Sequence, residues 1–444
     1  MRKLEVVLSN ERIVPNSGLY LVNKILSRSN LITNINKVRS PKRSQPVSPN
    51  GDICKIAIGL LTLRKTDFEC INEFSDDPDY LEYALELSGV PSESSYRNRL
   101  EDMGTKFNKL IFDGNIDMLK KNGIEPSALE CGLVPVDFDV TPMDNSKSHK
   151  EGVSRTYKGC DGYAPMIGYI GTEGYMLNVE LRKGSQHCQS GTPEFLEECI
   201  PAAKKLTKKT LLFRFDSGND STDNMVILHW NDPQIKFLIK RNPRREDMDA
   251  FAREMMSVCK NIKHPREGKT VYIGTTYREL HDEKIGKFTV RMVYEITERT
   301  MTADGQMLLL PDIEVNTYWT SLGLSDEEVI ELYHNHAICE QYHSEFKTDM
   351  NIERLPSGKF DTNALILMLA MIAYNIIRII GVELMKGKDA PVRHKTIKRR
   401  KIGTIIDNIL LIAGHLTEHA RKIKLALGRS NGWRNAFIRL CGAV

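Results

Sequence analysis

The chain has 444 residues, 41% of them hydrophobic and 27% charged, with a formal net charge of +4. That length points to two or three domains, and the composition excludes an intrinsically disordered chain. The nine cysteines stand singly with no C-x-x-C pair, which excludes a zinc ribbon, a dithiol redox motif and a disulfide framework, and fits a reducing cytoplasm.

Charge is distributed unevenly. The first 50 residues carry 9 Lys and Arg against two acids, and the segment from Lys386 onward carries 14 against three. Basic ends around a more acidic middle suit a polyanionic partner, although a charge run is also what a solvated surface looks like. The cluster Lys398, Arg399, Arg400 and Lys401 is the densest part and a candidate phosphate-binding patch. The opening residues MRKLEVVLSNER lack the apolar run of a signal peptide.

In chain order, residues 1–128 read as helical. ICKIAIGLLTLRKTDFECINEF (Ile53–Phe74) has helical apolar spacing, and DDPDYLEYALEL follows with an acidic first turn. Ser92 is placed to cap a helix bearing Arg97 and Arg99, an arrangement that fits either a helix-turn-helix DNA reader or an ordinary helical bundle.

From residue 129 the pattern changes. CGLVPVDFDVT is a strand, and PMIGYIG and GYMLNVELRKG form a hairpin across Thr172 and Glu173, between Gly171 and Gly174. A helix from Pro193 to Leu206 leads into the strand TLLFRFDSG, and the strand IKFLIKRN follows. Residues 269–317 read almost wholly as β, and everything after Leu324 reads as helix. The expectation is an α/β fold. It has a helical N-terminal region (1–128), a core (129–385) with a β-rich insertion at about 217–339, and a helical, basic C-terminal segment (386–444). ALILMLAMIAYNIIRIIG (Ala364–Gly381) falls short of the ~18 uninterrupted apolar residues of a membrane span. It contains Asn375 and Arg378, and reads as a buried core helix.

Carboxylates carry the chemistry. Two hard cations acting on a phosphodiester need oxygen ligands gathered at the edge of a rigid sheet. Asp139 ends one strand and Asp216 another, the second just before a glycine-containing break. Strands often end in Asp to make a turn, so neither is decisive alone. The next helix opens with a capping box, Ser325 and Glu328. Along it Tyr333, His336, Glu340 and Lys347 stand at offsets 0, 3, 7 and 14. At helical pitch these fall within about 60° of one another, so one face presents a phenol, an imidazole, a carboxylate and an ammonium.

These residues resemble DDE transposases of bacterial insertion sequences, in the superfamily named after insertion sequence four and most closely its thirteen-eighty-like branch. YHNHAICEQYHSEFK is similar to the signature Y-x2-R-x3-E-x6-K through Tyr333, Glu340 and Lys347, and departs from it at His336. VDFDVT resembles the first-aspartate strand and FRFDSG the second; VPSESSYRNRL and the stretch ending in Ala373, Tyr374 and Asn375 extend the likeness over about residues 90–425. The resemblance implies an RNase H-like catalytic core and two Mg²⁺ or Mn²⁺ ions held by Asp139, Asp216 and Glu340. It also implies DNA cleavage and strand transfer at terminal inverted repeats, a target DNA, a homodimer on DNA, and a bacterial, nucleoid-associated location with no membrane.

The resemblance then makes Tyr333 and Lys347 DNA contacts, with His336 at the position of the family's arginine. Trp319 either stacks on a base or belongs to the core. Asp137, two residues before Asp139 on the same strand face, is the alternative first ligand. Other readings are a DNA-binding relative that no longer cuts, and an RNase H-like nuclease without strand transfer. A zinc hydrolase built on His334, His336, Glu340 and His343 lacks an H-E-x-x-H and a compact ligand set.

Overall fold

VPVDFDV alternates apolar and polar residues, so one face of that strand offers Val134, Val136, Phe138 and Val140, and the other Pro135, Asp137 and Asp139. LLFRF alternates in the same sense, with Leu212 and Arg214 on the face opposite Leu211, Phe213 and Phe215. In the computed structural model, which describes residues 4–39, 48–75, 78–230, 232, 234–391, 397–419 and 422–444, these two strands lie side by side at the middle of a large mixed sheet.

The strands in chain order are β1 (Ile13–Val14), β2 (Val134–Val140), β3 (Met143–Asp144), β4 (Ser154–Arg155) and β5 (Asp161–Tyr163). There follow β6 (Met166–Ile170), β7 (Tyr175–Glu180), β8 (Leu211–Phe215), β9 (Ile235–Lys240) and β10 (Asn261–Arg266). The last are β11 (Lys269–Asp282), β12 (Gly286–Met301), β13 (Met307–Thr320), β14 (Gly414–His419) and β15 (Lys422–Leu427).

The main sheet runs β10-β11-β12-β13-β9-β8-β2-β6-β7. β2, β8 and β9 are mutually parallel and all other pairings are antiparallel. The β-rich stretch expected as an insertion therefore prolongs the sheet that carries Asp139 and Asp216, because Tyr318–Thr320 pair with Leu238–Lys240. The β6–β7 hairpin turns between Gly171 and Gly174, both at positive φ. At Gly174 a Cβ would lie 2.4 Å from the Tyr342 ring, so glycine is required there for packing as well as for the turn.

One face of the sheet is covered by helix Thr192–Leu206, where Phe195 meets Phe138 edge-on at 5.2 Å. The other face is covered by helix Asp326–His334, whose Val329, Ile330 and Leu332 pack on Leu212 and Leu238. The helix Phe360–Lys386 is long and apolar enough to cross a membrane, but its most apolar 18-residue window is 94% buried inside the fold. The N-terminal helices Asn50–Thr62, Glu93–Met103 and Asn108–Lys121 pack against it. Asn375 on this helix accepts from the Met176 amide (2.8 Å) and donates to the Met176 carbonyl (2.7 Å). It thereby closes the outer edge of β7, which satisfies a buried amide inside an apolar helix.

Three expectations are corrected. The helix expected over Ile53–Phe74 ends at Thr62 and gives way to a 3-10 turn, Phe68–Ile71, and a short helix, Asn72–Ser75. Arg64 takes a positive φ there, and its guanidinium donates to the Asp349 carbonyl (2.6 Å), the Gly403 carbonyl (3.1 Å) and Asp407 (2.6 Å). These tertiary bonds outcompete local helix propensity.

The C-terminal segment is not wholly helical: β14 and β15 form a hairpin that pairs with β1 in a three-stranded sheet, joining the two ends of the chain. KIKLAL carries the period-two alternation of a strand in Ile423, Leu425 and Leu427, set between Lys422, Lys424 and Ala426, whereas GHLTEH has no such pattern. Residues 392–396 of that segment lie outside the described residues. The expected single helix after Ser325 is a series: α-helix Asp326–His334, 3-10 turn Asn335–Ala337, α-helix Ile338–Ser344 and π-turn Glu345–Asp349. Its capping box is present, with the Ser325 hydroxyl accepting from the Glu328 amide and Glu328 accepting from the Ser325 amide.

Candidate active site

The parallel register aligns Phe138 with Phe215, so Asp139 and Asp216, each one residue further, stand side by side at the C-terminal ends of adjacent strands. Neighbouring strands are about 4.8 Å apart, which brings two carboxylates to one spot. Glu340 reaches the same place from helix Ile338–Ser344. Together with Tyr333, His336 and Lys347 these three acids line one cavity of about 710 Å³. The interrupted helix thus still delivers the four residues that a regular helix would have placed on one face.

Each acid is held differently. Asp216 caps the turn after β8, accepting from the Gly218 amide (3.1 Å) and the Asn219 side-chain amide (3.1 Å). Burial, and then the neighbouring Asp139 charge, push its carboxyl above the usual range. For Asp139 burial acts in the same direction. It is outweighed by the hydrogen bond and charge of His343, whose Nε2 lies 3.2 Å from Oδ2, so the carboxyl stays below its ordinary value. Glu340 is exposed on the cavity wall and has no hydrogen bond or ion pair among the described residues.

Asp137 stands elsewhere. It is 3% exposed, and Arg214, directly opposite on β8, donates to both its oxygens at 2.6 and 2.7 Å. Arg214 also donates to the Leu332 carbonyl (2.7 Å), and His336 Nδ1 lies 3.1 Å from Asp137 Oδ1. Burial raises the Asp137 carboxyl, but Arg214 and His336 more than reverse this and hold it at about 2. The pair ties the segment bearing Glu340 to β2 and β8. Asp137, His336 and Cys339 come close enough to share a metal ion. Arg214 already neutralises that carboxylate, and burial keeps the Cys339 thiol protonated, so the cluster is poorly suited to a cation.

The remaining sequence candidates are distributed as follows. Tyr333 packs its ring on Tyr318 (4.7 Å) and His336 (5.9 Å), and Lys347 donates to the Pro142 carbonyl (3.0 Å) at the cavity edge. With Nδ1 of His336 engaged by Asp137, only its other ring nitrogen is left for a phosphate. Trp319 is buried, donates from its indole to Asp220 (3.0 Å) and lies under Arg241, so it stands in the core and not as an open stacking platform.

Arg97 pairs with Glu93 and covers the Phe68 ring, while Arg99 is buried and donates to the Ser48 carbonyl (2.6 Å) and to Asn50. Within the basic cluster only Lys398 and Lys401 are exposed. Arg399 donates twice to buried Glu345 (2.9 and 2.6 Å), and Arg400 is buried over the Trp433 ring. Arg399 thus holds the C-terminal segment against the Glu340 segment, whereas the Arg400 guanidinium makes its contacts within the C-terminal segment, to Trp433 and the Pro391 carbonyl. Sequence reasoning missed Arg214, and missed His343 as a partner of Asp139. Their signals were spacing, Arg214 two residues before Asp216 on one strand face and His343 one helical turn after Glu340. Tyr157 and Lys158, from the turn after β4, also line the cavity and were missed without a signal of that kind.

Comparison with known proteins decides the family. A family model described as "Transposase DDE domain group 1" matches residues 1–444. The chain belongs to this transposase family. No protein with a curated description matches it. Among solved structures the transposase chain is similar to a piggyBac transposase, seen by cryo-electron microscopy in a synaptic complex with hairpin DNA. The two are 11% identical with a TM-score of 0.40, over 89% of this chain and 80% of that one. A likeness at that level adds nothing to the family assignment. Asp139, Asp216 and Glu340 line one cavity, and Glu353, which accepts from the Asp144 amide (3.3 Å), lines it too.

Proposed function

We propose that this transposase cuts DNA at transposon ends and joins them to a target, using Asp139, Asp216 and Glu340 to hold two Mg²⁺ or Mn²⁺ ions. The observation carrying this reading is the convergence of those three carboxylates, from two adjacent strand ends and one helix, on a single cavity. The donor set fits a hard divalent cation: all oxygen, one carboxylate without a protein partner, and two close enough for one charge to raise the other's carboxyl. Bound there, such ions supply Lewis-acid activation of the attacking hydroxyl and charge neutralisation at the leaving oxygen.

The chain's own residues do the rest. Lys347 and Lys158 place ammonium groups at the cavity for DNA phosphates, and Tyr333 offers a phenol that burial keeps protonated. The order β7-β6-β2-β8-β9, a meander on one side of β2 and parallel strands on the other, supports an RNase H-like core. Residues 1–128 and 386–444 then serve as flanking DNA-holding regions, in a homodimer bringing two inverted repeats together. Placement in the insertion-sequence-four superfamily rests on Tyr333, Glu340 and Lys347, with a bacterial nucleoid as the site of action.

The test uses the full chain and a plasmid carrying the genomic sequences that flank its coding region. With Mg²⁺, strand breaks ending in 3′-hydroxyls are expected at repeat boundaries, followed by joined products. Chelation with EDTA abolishes both, and added Mg²⁺ restores them. Breaks without joining favour a nuclease, and binding without breaks a relative that no longer cuts. Cleavage that persists in EDTA contradicts the metal-dependent reading.

A further inference from the structure

Asp139 has a partner that belongs to neither the acid triad nor the DNA-contact residues. His343 sits one helical turn beyond Glu340 and turns back toward β2, where its Nε2 lies 3.2 Å from Asp139 Oδ2. Its other nitrogen, Nδ1, lies 3.1 Å from the hydroxyl of Tyr169, on the neighbouring strand β6. Both side chains are buried, His343 at 5% and Tyr169 at 1% exposure. The Tyr169 ring is fixed in turn by Tyr342 at 5.1 Å and Tyr374 at 6.2 Å.

Donor rules give this chain of contacts a direction. An ionised carboxylate only accepts, so the hydrogen between His343 and Asp139 must sit on Nε2. The Tyr169 hydroxyl can donate to Nδ1 or accept from it, so it holds the ring in either case. Burial pushes the Tyr169 phenol well above its ordinary range, which keeps that hydroxyl protonated. The tyrosine therefore fixes the ring plane of the histidine, and the histidine fixes the carboxylate.

We propose that His343, steered by Tyr169, is a positioning residue that sets the orientation of Asp139 for the divalent cation. Holding Oδ2 from the side of the Glu340 helix stops rotation of the carboxylate and leaves its other oxygen free of the histidine. The same bond links the strand bearing Asp139 to the helix bearing Glu340, so it also sets their spacing. Partners that orient a ligating carboxylate in this way are worth about 10–100-fold in metal affinity. The inference rests on Asp139 being a metal ligand, and its test separates the two claims.

Mn²⁺ binding to the full chain without DNA is read by electron paramagnetic resonance, with a thermal melt in EDTA to report folding. His343→Ala is expected to weaken Mn²⁺ binding by about 10–100-fold. His343→Gln, which can place an N–H at nearly the same position, is expected to recover most of that loss. Tyr169→Phe keeps the ring but removes the hydroxyl that holds His343, and is expected to weaken binding by a smaller factor without lowering the metal-free melt in proportion. Asp139→Asn is the control. If it binds Mn²⁺ like the wild type, the metal assignment fails; if it loses binding while His343→Ala and Tyr169→Phe do not, the positioning role fails. Should His343→Ala fold poorly, Gln and Phe carry the same comparison, and equal Mn²⁺ affinity in Tyr169→Phe and the wild type overturns the inference.

Discussion

Glu340→Gln is expected to lower DNA strand cleavage by about 10³-fold or more, since a metal ligand contributes several kcal/mol of transition-state charge stabilisation and ~1.4 kcal/mol is a factor of ten. Binding of the same DNA should stay close to wild type. The two effects separate because Glu340 is exposed on the cavity wall and carries no protein partner among the described residues. Glutamine has the same shape, so no packing is lost, and a surface change of this kind shifts stability by no more than about 0.5 kcal/mol. Cleavage measured beside a gel-shift titration and a thermal melt reads all three quantities. A parallel loss of cleavage, binding and stability would instead assign Glu340 to the fold.

Removing either partner of the Asp137–Arg214 pair should be costly for the opposite reason. Both side chains are buried, and each strand end holds the other through two hydrogen bonds of 2.6 and 2.7 Å. Asp137→Ala leaves an uncompensated guanidinium in the sheet, with an expected loss of about 3–5 kcal/mol. Arg214→Met is expected to cost a similar amount and also to release the Leu332 carbonyl, loosening the helix that precedes Glu340. A double variant, Asp137→Val with Arg214→Met, should lose clearly less than the sum, because two apolar groups replace a paired charge. Denaturant unfolding of the four proteins gives the coupling directly. An Asp137 variant that keeps full stability but loses Mn²⁺ would make Asp137, not Asp139, the first metal ligand.

What the sequence disclosed and what it hid follow from how local each signal was. Asp139 and Asp216 were legible because alternation and a glycine break mark strand ends within a few residues. The β6–β7 turn was legible through Gly171 and Gly174, and the start of the Glu340 segment through Ser325 and Glu328. The apolar run around Asn375 was legible as a core helix, but the reason for Asn375, the exposed edge of β7, lies 199 residues away.

Basic residues were the least readable. Helix pattern assigns Arg99, and charge counting Arg399 and Arg400, to a DNA-facing surface, whereas Arg99 and Arg399 find partners 51 and 54 residues away, in Ser48 and Glu345, and Arg400 is buried over Trp433. A guanidinium is easily buried where carbonyl or carboxylate oxygens meet its fork, and no sequence window shows those oxygens. His336 was read as a replacement for a phosphate-gripping arginine. Its closest polar partner is Asp137, 199 positions earlier, which spacing along one helix could not indicate. The nine-strand order was equally out of reach, since β13 joins β9 through only three residues at the end of a long ribbon.

The claim on which the rest depends is that Asp139, Asp216 and Glu340 form one metal centre. Its most direct measurement is anomalous diffraction from crystals of the full chain grown with Mn²⁺ and a DNA duplex carrying the element's end. Two manganese peaks are expected in the cavity among these three carboxylates, about 3.5–4 Å apart, as in two-metal phosphodiester chemistry. Manganese found at Asp137, His336 and Cys339 instead, or no manganese near Glu340 at saturating concentration, would contradict the account.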